Sequence, residues 1–305
     1  MPSATEETVR ITRERLGPVG VWSASLRQGT VDEARAGAGR IEALGYGSLW
    51  AGEILGGRDT FAFSAVLLAH TSTLVVGTGI ANLWARHPAT MQAGATTLAD
   101  AWPHRLVLGV GVSHAPVVEG AGEEYVRPLD RMAGYLDGMD REAAANPPPA
   151  AFPRVLAALG PRMLELARDR ADGAHPYFVP PAHTEIARRH LGPDRLLLPE
   201  QAVVLQADPE TARRVARRHM AGYLALPNYV NNLLRLGYTE ADVADGGSDR
   251  LVDAIVAWGD EQAIAGRVQE LLDAGADHVL LQPLGGGIDG TVSQLEALAP
   301  ALLGG

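Results

Sequence analysis

The chain has no cysteine and no lysine; all 26 of its basic residues are arginines. The first absence removes disulfides, thiolate nucleophiles, iron–sulfur clusters and cysteine-bound zinc. The second removes Schiff-base chemistry and the lysine of a phosphate-binding P-loop. Long apolar runs are missing too: no segment approaches the roughly 20 apolar residues that a bilayer span needs. The N-terminus, MPSATEETVRITRERLG, is mixed in charge and carries no apolar core that would serve as a leader. No membrane partner and a cytoplasmic location are therefore expected. Nucleic acid is not an expected partner either, because the formal net charge is −10 and phosphate binding needs clustered cations. The arginine pairs at 188–189, 213–214 and 217–218 fall in helix-like segments and are read as solvated faces. The nine histidines are scattered, with none of the short His-x-His or carboxylate–His groupings of a catalytic metal site, so no metal is expected.

What is present is an ordinary globular composition, 47% hydrophobic and 20% charged over 305 residues. That length suits one large α/β barrel, and the expectation is a single domain over 1–305 with residues 1–16 as an N-terminal extension. From Gly17 onward, short apolar runs alternate with helical ones. The predicted strands are 17–22, 46–53, 74–80, 105–112, 154–159, 173–179, 197–205 and 276–284. Between them lie a helix opened by a Thr30/Glu33 capping box and stopped at Gly45, then helices over 60–71, 88–101 and 127–145. A helix with Pro161 at its first position follows, then helices over 183–191 and 209–224, a helical region over 229–258, a helix opened by Asp260, and one over 291–303. Residues 113–124 read as a long loop and 146–153 as a proline-stiffened link. Eight strands alternating with helices point to a (β/α)8 TIM barrel. A dinucleotide-binding open sheet would carry GxGxxG after the first strand, where this chain has WSASLRQGT.

Residues 74–114 hold the most specific signal. Two β-rich runs, LVVGTGI and RLVLGVGV, bracket a helix-length segment and both end in glycine-containing turns. Gly77, Gly79, Gly109 and Gly111 lack a Cβ and so allow backbone to approach a bulky, flat ligand. The sequence GxGIxN…RHPA (Gly77 to Ala89), followed by a helix and RxVLGVGVSH, resembles the luciferase-like flavin and deazaflavin oxidoreductases, most nearly their coenzyme F420-dependent branch. The resemblance runs from about Gly17 to the end of the chain, with its specificity in residues 74–114 and 155–177. The loop over 113–153 looks shorter than in many relatives, which makes the substrate pocket more open and the substrate impossible to carry over.

The resemblance implies a non-proline cis peptide at Gly79–Ile80, with Gly79 and Ile80 supporting the cofactor ring. It also implies bound coenzyme F420, with FMN as the alternative, and a homodimer packed through the helices after the second and third strands. The activity implied is hydride transfer between F420 and a small organic substrate; the alternatives are an FMN-dependent monooxygenase or a non-catalytic (deaza)flavin-binding protein. Glu53, at the end of strand two, falls beside the ring's redox-active edge and would relay a proton if burial or a neighbour raised its pKa; the plainer alternative is a surface loop glutamate. His114, after strand four, suits proton transfer near neutrality or simple hydrogen bonding. Asn82, Arg86, Gly111 and Ser113 are assigned to the cofactor, Arg86 either facing its acidic tail or, with His87, fixing the loop after the bulge. Gly160, Arg162 and Met163 stand at a helix N-terminus whose free N–H groups favour a phosphate. Trp22, His175, Tyr177 and Tyr229 are assigned to the substrate mouth, with loop-locking as the alternative for His175 and a plain helix start for Tyr229.

Overall fold

The computed structural model describes residues 4–304. The chain opens with helix α1 (Ala4–Leu16), then β1 (Val19–Trp22), a short 3-10 turn at Ser25–Arg27, α2 (Val31–Leu44), β2 (Ser48–Ala51), α3 (Thr60–His70), β3 (Val75–Thr78), β4 (Ala81–Asn82), α4 (Pro88–Ala101) and β5 (Leu106–Gly111). It continues through α5 (Ala115–Gly120), α6 (Pro128–Ala145), β6 (Arg154–Leu156), α7 (Pro161–Arg170), β7 (Gly173–Ala174), α8 (Pro181–Leu191), β8 (Leu196–Leu197), β9 (Glu200–Leu205) and α9 (Pro209–Leu224). The C-terminal part holds α10 (Pro227–Arg235), α11 (Glu240–Val243), α12 (Asp249–Ile255), β10 (Val256–Gly259), α13 (Glu261–Asp273), β11 (Val279–Pro283) and α14 (Gly287–Leu303).

The strands form one curled sheet in the order β10-β9-β11-β1-β2-β3-β5-β6-β7-β8, with β4 paired to β5. All of these pairings are parallel, as strand–helix–strand repeats require. Only Leu198 and Pro199 separate β8, which pairs with β7, from β9, which pairs with β11. Helix starts follow the local chemistry. Thr30 and Glu33 form a reciprocal capping box on α2, and Gly45 ends that helix in the left-handed region at φ 94°. Asp59, His87, Asp208 and Asp260 cap α3, α4, α9 and α13 through their side chains.

Inside the sheet, the glycines make room for side chains of the protein itself. A Cβ at Gly20 would strike Ser48 and His278, and one at Gly77 would strike the Trp50 indole. Those residues form a buried polar column: the Trp50 Nε1–H donates to Ser48 Oγ (2.9 Å), Ser48 Oγ meets His278 Nε2 (2.7 Å), and His278 Nδ1 reaches the Gly17 carbonyl (2.8 Å). Because a carbonyl only accepts, His278 carries its proton on Nδ1 and accepts at Nε2.

The N-terminal extension holds helix α1, which buries Val9 and Leu16 and ties Arg13 to Asp277 at 2.8 Å. Two sequence expectations need correcting. Residues 113–124 contain α5, and the region read as helical over 229–258 ends in strand β10. Its VAWG run is too short for periodicity to separate strand from helix, and pairing with β9 decides it.

Candidate active site

The site is built outward from the junction of β3 and β4, where the Gly79–Ile80 peptide is cis. Its backbone is tied on every side: Gly79 N–H donates to the Ala51 carbonyl (2.9 Å), the Gly79 carbonyl accepts from Trp22 Nε1 (3.0 Å), and the Ile80 carbonyl accepts from Glu53 N–H (3.0 Å). The Ile80 side chain lies over β5 and β6, because a Cβ at Gly111 would meet Ile80 Cδ1 at 2.6 Å and Ala157 at 3.2 Å. Gly109 is likewise filled, by the Thr78 carbonyl, whose hydroxyl donates to Gly109 O at 2.7 Å. Gly77, Gly109 and Gly111 thus seat Trp50, Thr78 and Ile80, which corrects the expectation that they open space for a ligand. Gly79 and Ile80 themselves remain half-exposed amid buried neighbours, so the bulge is the part of this strand that solvent reaches.

Glu53 is neither a free proton relay nor a surface glutamate. Its side chain is 3% exposed and pairs bidentately with Arg86, itself 9% exposed. Its oxygens also accept from Asn82 N–H (2.8 Å) and Thr60 N–H (3.3 Å). Arg86 reaches on to Asp59 (2.9 Å), and Tyr135 OH donates to the Arg86 carbonyl (2.8 Å). Asp59 is pushed up by burial, but the Ala62 N–H and the Arg86 charge hold it below the usual carboxylate range. Asn82 is buried and spends its side-chain oxygen on Trp84 N–H (3.0 Å). Glu53, Asn82 and Arg86 therefore clamp the loop that carries the bulge, and the structure gives Arg86 the loop-fixing alternative.

Opposite the bulge stands an aromatic and titratable wall. Trp22 packs on Tyr177 with ring centroids 5.2 Å apart, and Tyr177 OH lies 2.8 Å from Gln282 Oε1 and 2.7 Å from Tyr223 OH. Tyr177 donates to Gln282 Oε1, so the Tyr223 hydroxyl donates to Tyr177. Burial drives the Tyr177 and Tyr229 hydroxyls well above their ordinary pKa. Tyr229, at the start of α10, packs against Phe178, Tyr223 and His114 at 5.3, 5.4 and 5.3 Å. His175 donates from Nδ1 to the Leu198 carbonyl (2.7 Å), and burial lowers its pKa to about 4. Its Nε2 is buried and unpartnered, 3.3 Å from where a Cβ on Gly79 would stand. Trp22 and His175 thus back the bulge from inside, which moves both from the expected substrate mouth to its floor. His114 precedes α5, touches Asn228 Oδ1 at 3.3 Å through Nδ1, and is held neutral by burial.

Three residues of this wall were not assigned to the site from sequence: Glu200, Tyr223 and Gln282. Glu200 had a signal, a carboxylate inside the apolar run LLLPEQAVVL. It is 3% exposed, accepts the Phe178 N–H through Oε2 (3.2 Å), leaves Oε1 unpartnered, and is pushed up to about 8 by burial. Phe178 presents that N–H from the left-handed region, at φ 57°. Gln282 had its position at the end of the eighth expected strand, where the chemistry of a barrel collects, whereas Tyr223 had no such signal, since it reaches the site only through α9.

At the start of α7, Gly160 caps without a side chain and Pro161 follows, as expected. Arg162 is exposed and Met163 half-buried. The guanidinium near this turn belongs to Arg235 of α10, whose Nη1 lies 3.4 Å from where a Cβ on Gly160 would stand. Ser113, across the mouth, is in the left-handed region at φ 59°. No group of three or more His, Asp or Glu suited to a metal occurs among the described residues.

A curled parallel α/β sheet gathers the bulge and the aromatic wall at one end of its strands, the end where α/β enzymes of this kind carry their sites. The chain belongs to the luciferase-like monooxygenase family, whose profile matches residues 16–278. Among curated proteins it is 24% identical over 290 residues to 5,10-methylenetetrahydromethanopterin reductase of Archaeoglobus fulgidus, covering 80% of this chain and 87% of that one. Among solved structures it matches an F420-dependent secondary alcohol dehydrogenase bound to an F420–acetone adduct, with TM-score 0.75, 16% identity, and 94% and 99% of the two chains covered. It also matches the FMN-bound oxygenating component of 3,6-diketocamphane monooxygenase from Pseudomonas putida, with TM-score 0.65, 13% identity, and 93% and 96% covered. At those identities the structural matches establish the fold alone.

Proposed function

We propose that this chain is an F420-dependent oxidoreductase that transfers a hydride between the deazaflavin of coenzyme F420 and a small organic substrate. The scaffold is read as a (β/α)8 barrel closed through the chain segment that carries β8 and β9. The carrying observation is Ile80, seated on Gly111 beside Ala157 and presented half-exposed next to the Gly79 carbonyl that Trp22 holds. The residues present fit the group. An apolar side chain backs one face of a planar site, and the turn at Gly160 with Arg235 offers N–H groups and a cation for a phosphate-bearing tail. Gly79, Ile80 and Ser113 would hold the ring, Gly160 with Arg235 the tail, and Asn82 and Arg86 would act through the Glu53 clamp.

When bound, the deazaflavin supplies a carbon centre that gives or takes a hydride. The chain must then manage one proton on the substrate. With Glu53 fully engaged, His114 is the remaining candidate: a neutral imidazole at the mouth, oriented by Asn228. Tyr177 and Tyr229 wall the substrate and exclude water.

A second reading is an FMN-dependent monooxygenase, supported by the FMN-bound neighbour. The two ring systems differ at one ring atom, and no residue at the bulge reads that atom. Titrating the purified protein with F420 and with FMN, each followed by its own fluorescence, separates them. F420 binding in the micromolar range or tighter is expected; FMN binding with no F420 binding overturns the proposal. A homodimer through α3 and α4 belongs to the same reading, because Ala62, Ala69, Thr90, Ala93 and Thr97 leave small side chains exposed on those helices. Light scattering at micromolar concentration should give twice the chain mass, and a monomer would end that part.

A further inference from the structure

The turn from β11 into α14 runs through three consecutive glycines, Gly285, Gly286 and Gly287, all in the left-handed region at φ 86°, 81° and 63°. Such torsions favour glycine whatever space surrounds them, and here the space is open. No atom stands within 4 Å of where a Cβ on Gly285 or Gly287 would be. The N–H groups of all three glycines have no acceptor among the described residues, and Gly286 caps the 17-residue helix α14 without a side chain. A helix start of this kind carries a partial positive charge and a row of free donors.

The glycines border a cleft of about 420 Å³, a volume that suits a small ligand. Ser25, Arg218, Gln282 and Thr291 also line it, and its wall holds no carboxylate. Asp289, in the first turn of α14, lies outside that wall and pairs with Arg40 at 3.3 Å. Gln282 points to a ligand independently of the glycines. It is 4% exposed, its Oε1 accepts from Tyr177 OH at 2.8 Å, and its Nε2 has no acceptor among the described residues. An amide donor that deep in a fold normally has an acceptor. Arg218 is exposed and makes no ion pair or hydrogen bond among the described residues. The hydroxyls of the rim are already engaged: Thr291 donates to the Gly287 carbonyl at 2.8 Å, which leaves Ser25 to donate to Thr291 at 3.1 Å. The donors left for a ligand are therefore the glycine N–H groups, the Gln282 amide and the Arg218 guanidinium.

We propose that this cleft binds a phosphate group of the substrate, held by the N–H groups at the start of α14, the Gln282 amide and Arg218. Backbone donors at a helix start together with a guanidinium suit a phosphate. Gln282 sets the cleft beside the mouth, because Tyr177, which its Oε1 holds, packs on Trp22. The assignment rests on the function proposed above and narrows its substrate class to small phosphate esters. The phosphate of the cofactor's tail, placed above at Gly160, has the same chemistry, and the test separates the two.

The test titrates inorganic phosphate into the full chain by calorimetry at constant ionic strength, with and without F420, and measures F420 affinity in parallel. Phosphate is expected to bind the parent chain and to bind it still when F420 is present. Gln282→Met should weaken phosphate binding about tenfold or more, as loss of a hydrogen bond to a charged group does. Arg218→Gln should weaken it about two- to fivefold, the scale of an exposed charge pair. Arg218 is exposed and unpaired, so its variant keeps the test decisive should Gln282→Met fail to fold. Arg214→Gln changes the net charge equally on the same helix, outside the cleft, and should leave binding unchanged. The proposal is overturned if the parent chain binds no phosphate, if either folded cleft variant binds it as tightly as the parent, or if Arg214→Gln loses as much as Arg218→Gln. Phosphate that competes with F420 gives the cleft to the cofactor's tail and overturns the substrate assignment. Phosphate binding by a chain that binds no F420 removes the cofactor reading and leaves the phosphate site standing.

Discussion

At the scale of single residues, Glu53 shows why position alone misassigns chemistry. It stands at a strand end where a catalytic carboxylate would be useful, yet all its accepting capacity goes to Arg86 and two backbone N–H groups. Glu53→Gln keeps the shape and removes the charge, leaving Arg86 with Asp59 at 2.9 Å as its remaining anion. Breaking one side of a buried pair costs about 3–5 kcal/mol, so urea unfolding of the variant should show a loss of that order. If Glu53 is a clamp, the pH–rate profile of the folded variant keeps its shape. Loss of one limb of that profile, with stability preserved, would return the proton relay to Glu53.

Among the elements, the β3–β4 junction depends on a partner two strands away in the sheet, since Trp22 of β1 supplies the hydrogen bond to the Gly79 carbonyl. Trp22→Phe keeps an aromatic ring and deletes the donor. A buried carbonyl left unsatisfied costs about 1–3 kcal/mol, so the cofactor-free protein should lose that much in denaturant unfolding, and cofactor affinity should fall with it. Affinity unchanged despite the lost stability would make this bond a support of the fold alone. The helix boundaries at Pro88–Ala101 and Pro209–Leu224 were legible in sequence because caps and first-position prolines act within one turn. The cis bond at Gly79–Ile80 was expected from the family resemblance of its motif alone, since no local rule of capping or turn chemistry calls for it. What fills the space at Gly77, Gly109 and Gly111 was not legible, since a glycine reports that something is close and never what. Glu200 was partly legible, as a charge in an apolar strand; Tyr223 and Arg235 were not, because α9 and α10 meet the site only through tertiary packing.

For the whole molecule, the buried titratable groups predict a stability maximum. His175, His219 and His278 are each lowered to about 4 by burial, from an ordinary value of 6.5. Between those values the unfolded chain binds more protons than the folded one, so stability is lost as pH falls through that window. Glu200 acts in the opposite sense. Folded, it keeps its proton up to about 8, whereas unfolded it releases it near 4.5, so its burial lowers stability as pH rises between the two. Each such proton is worth at most about 1.4 kcal/mol per pH unit. From pH 4.5 to 6.5 three histidines outweigh one glutamate and stability climbs; from 6.5 to about 8 the glutamate acts without them and stability declines. The expected maximum therefore lies near pH 6.5, checked by urea midpoints measured from pH 5 to 9. Glu200→Gln should flatten the decline on the alkaline side and steepen the climb on the acidic side, where Glu200 no longer opposes the histidines. A parent chain whose stability keeps rising between pH 6.5 and 8 would mean that Glu200 is ionised in the fold and that its unpartnered Oε1 has found a cation or an ordered water.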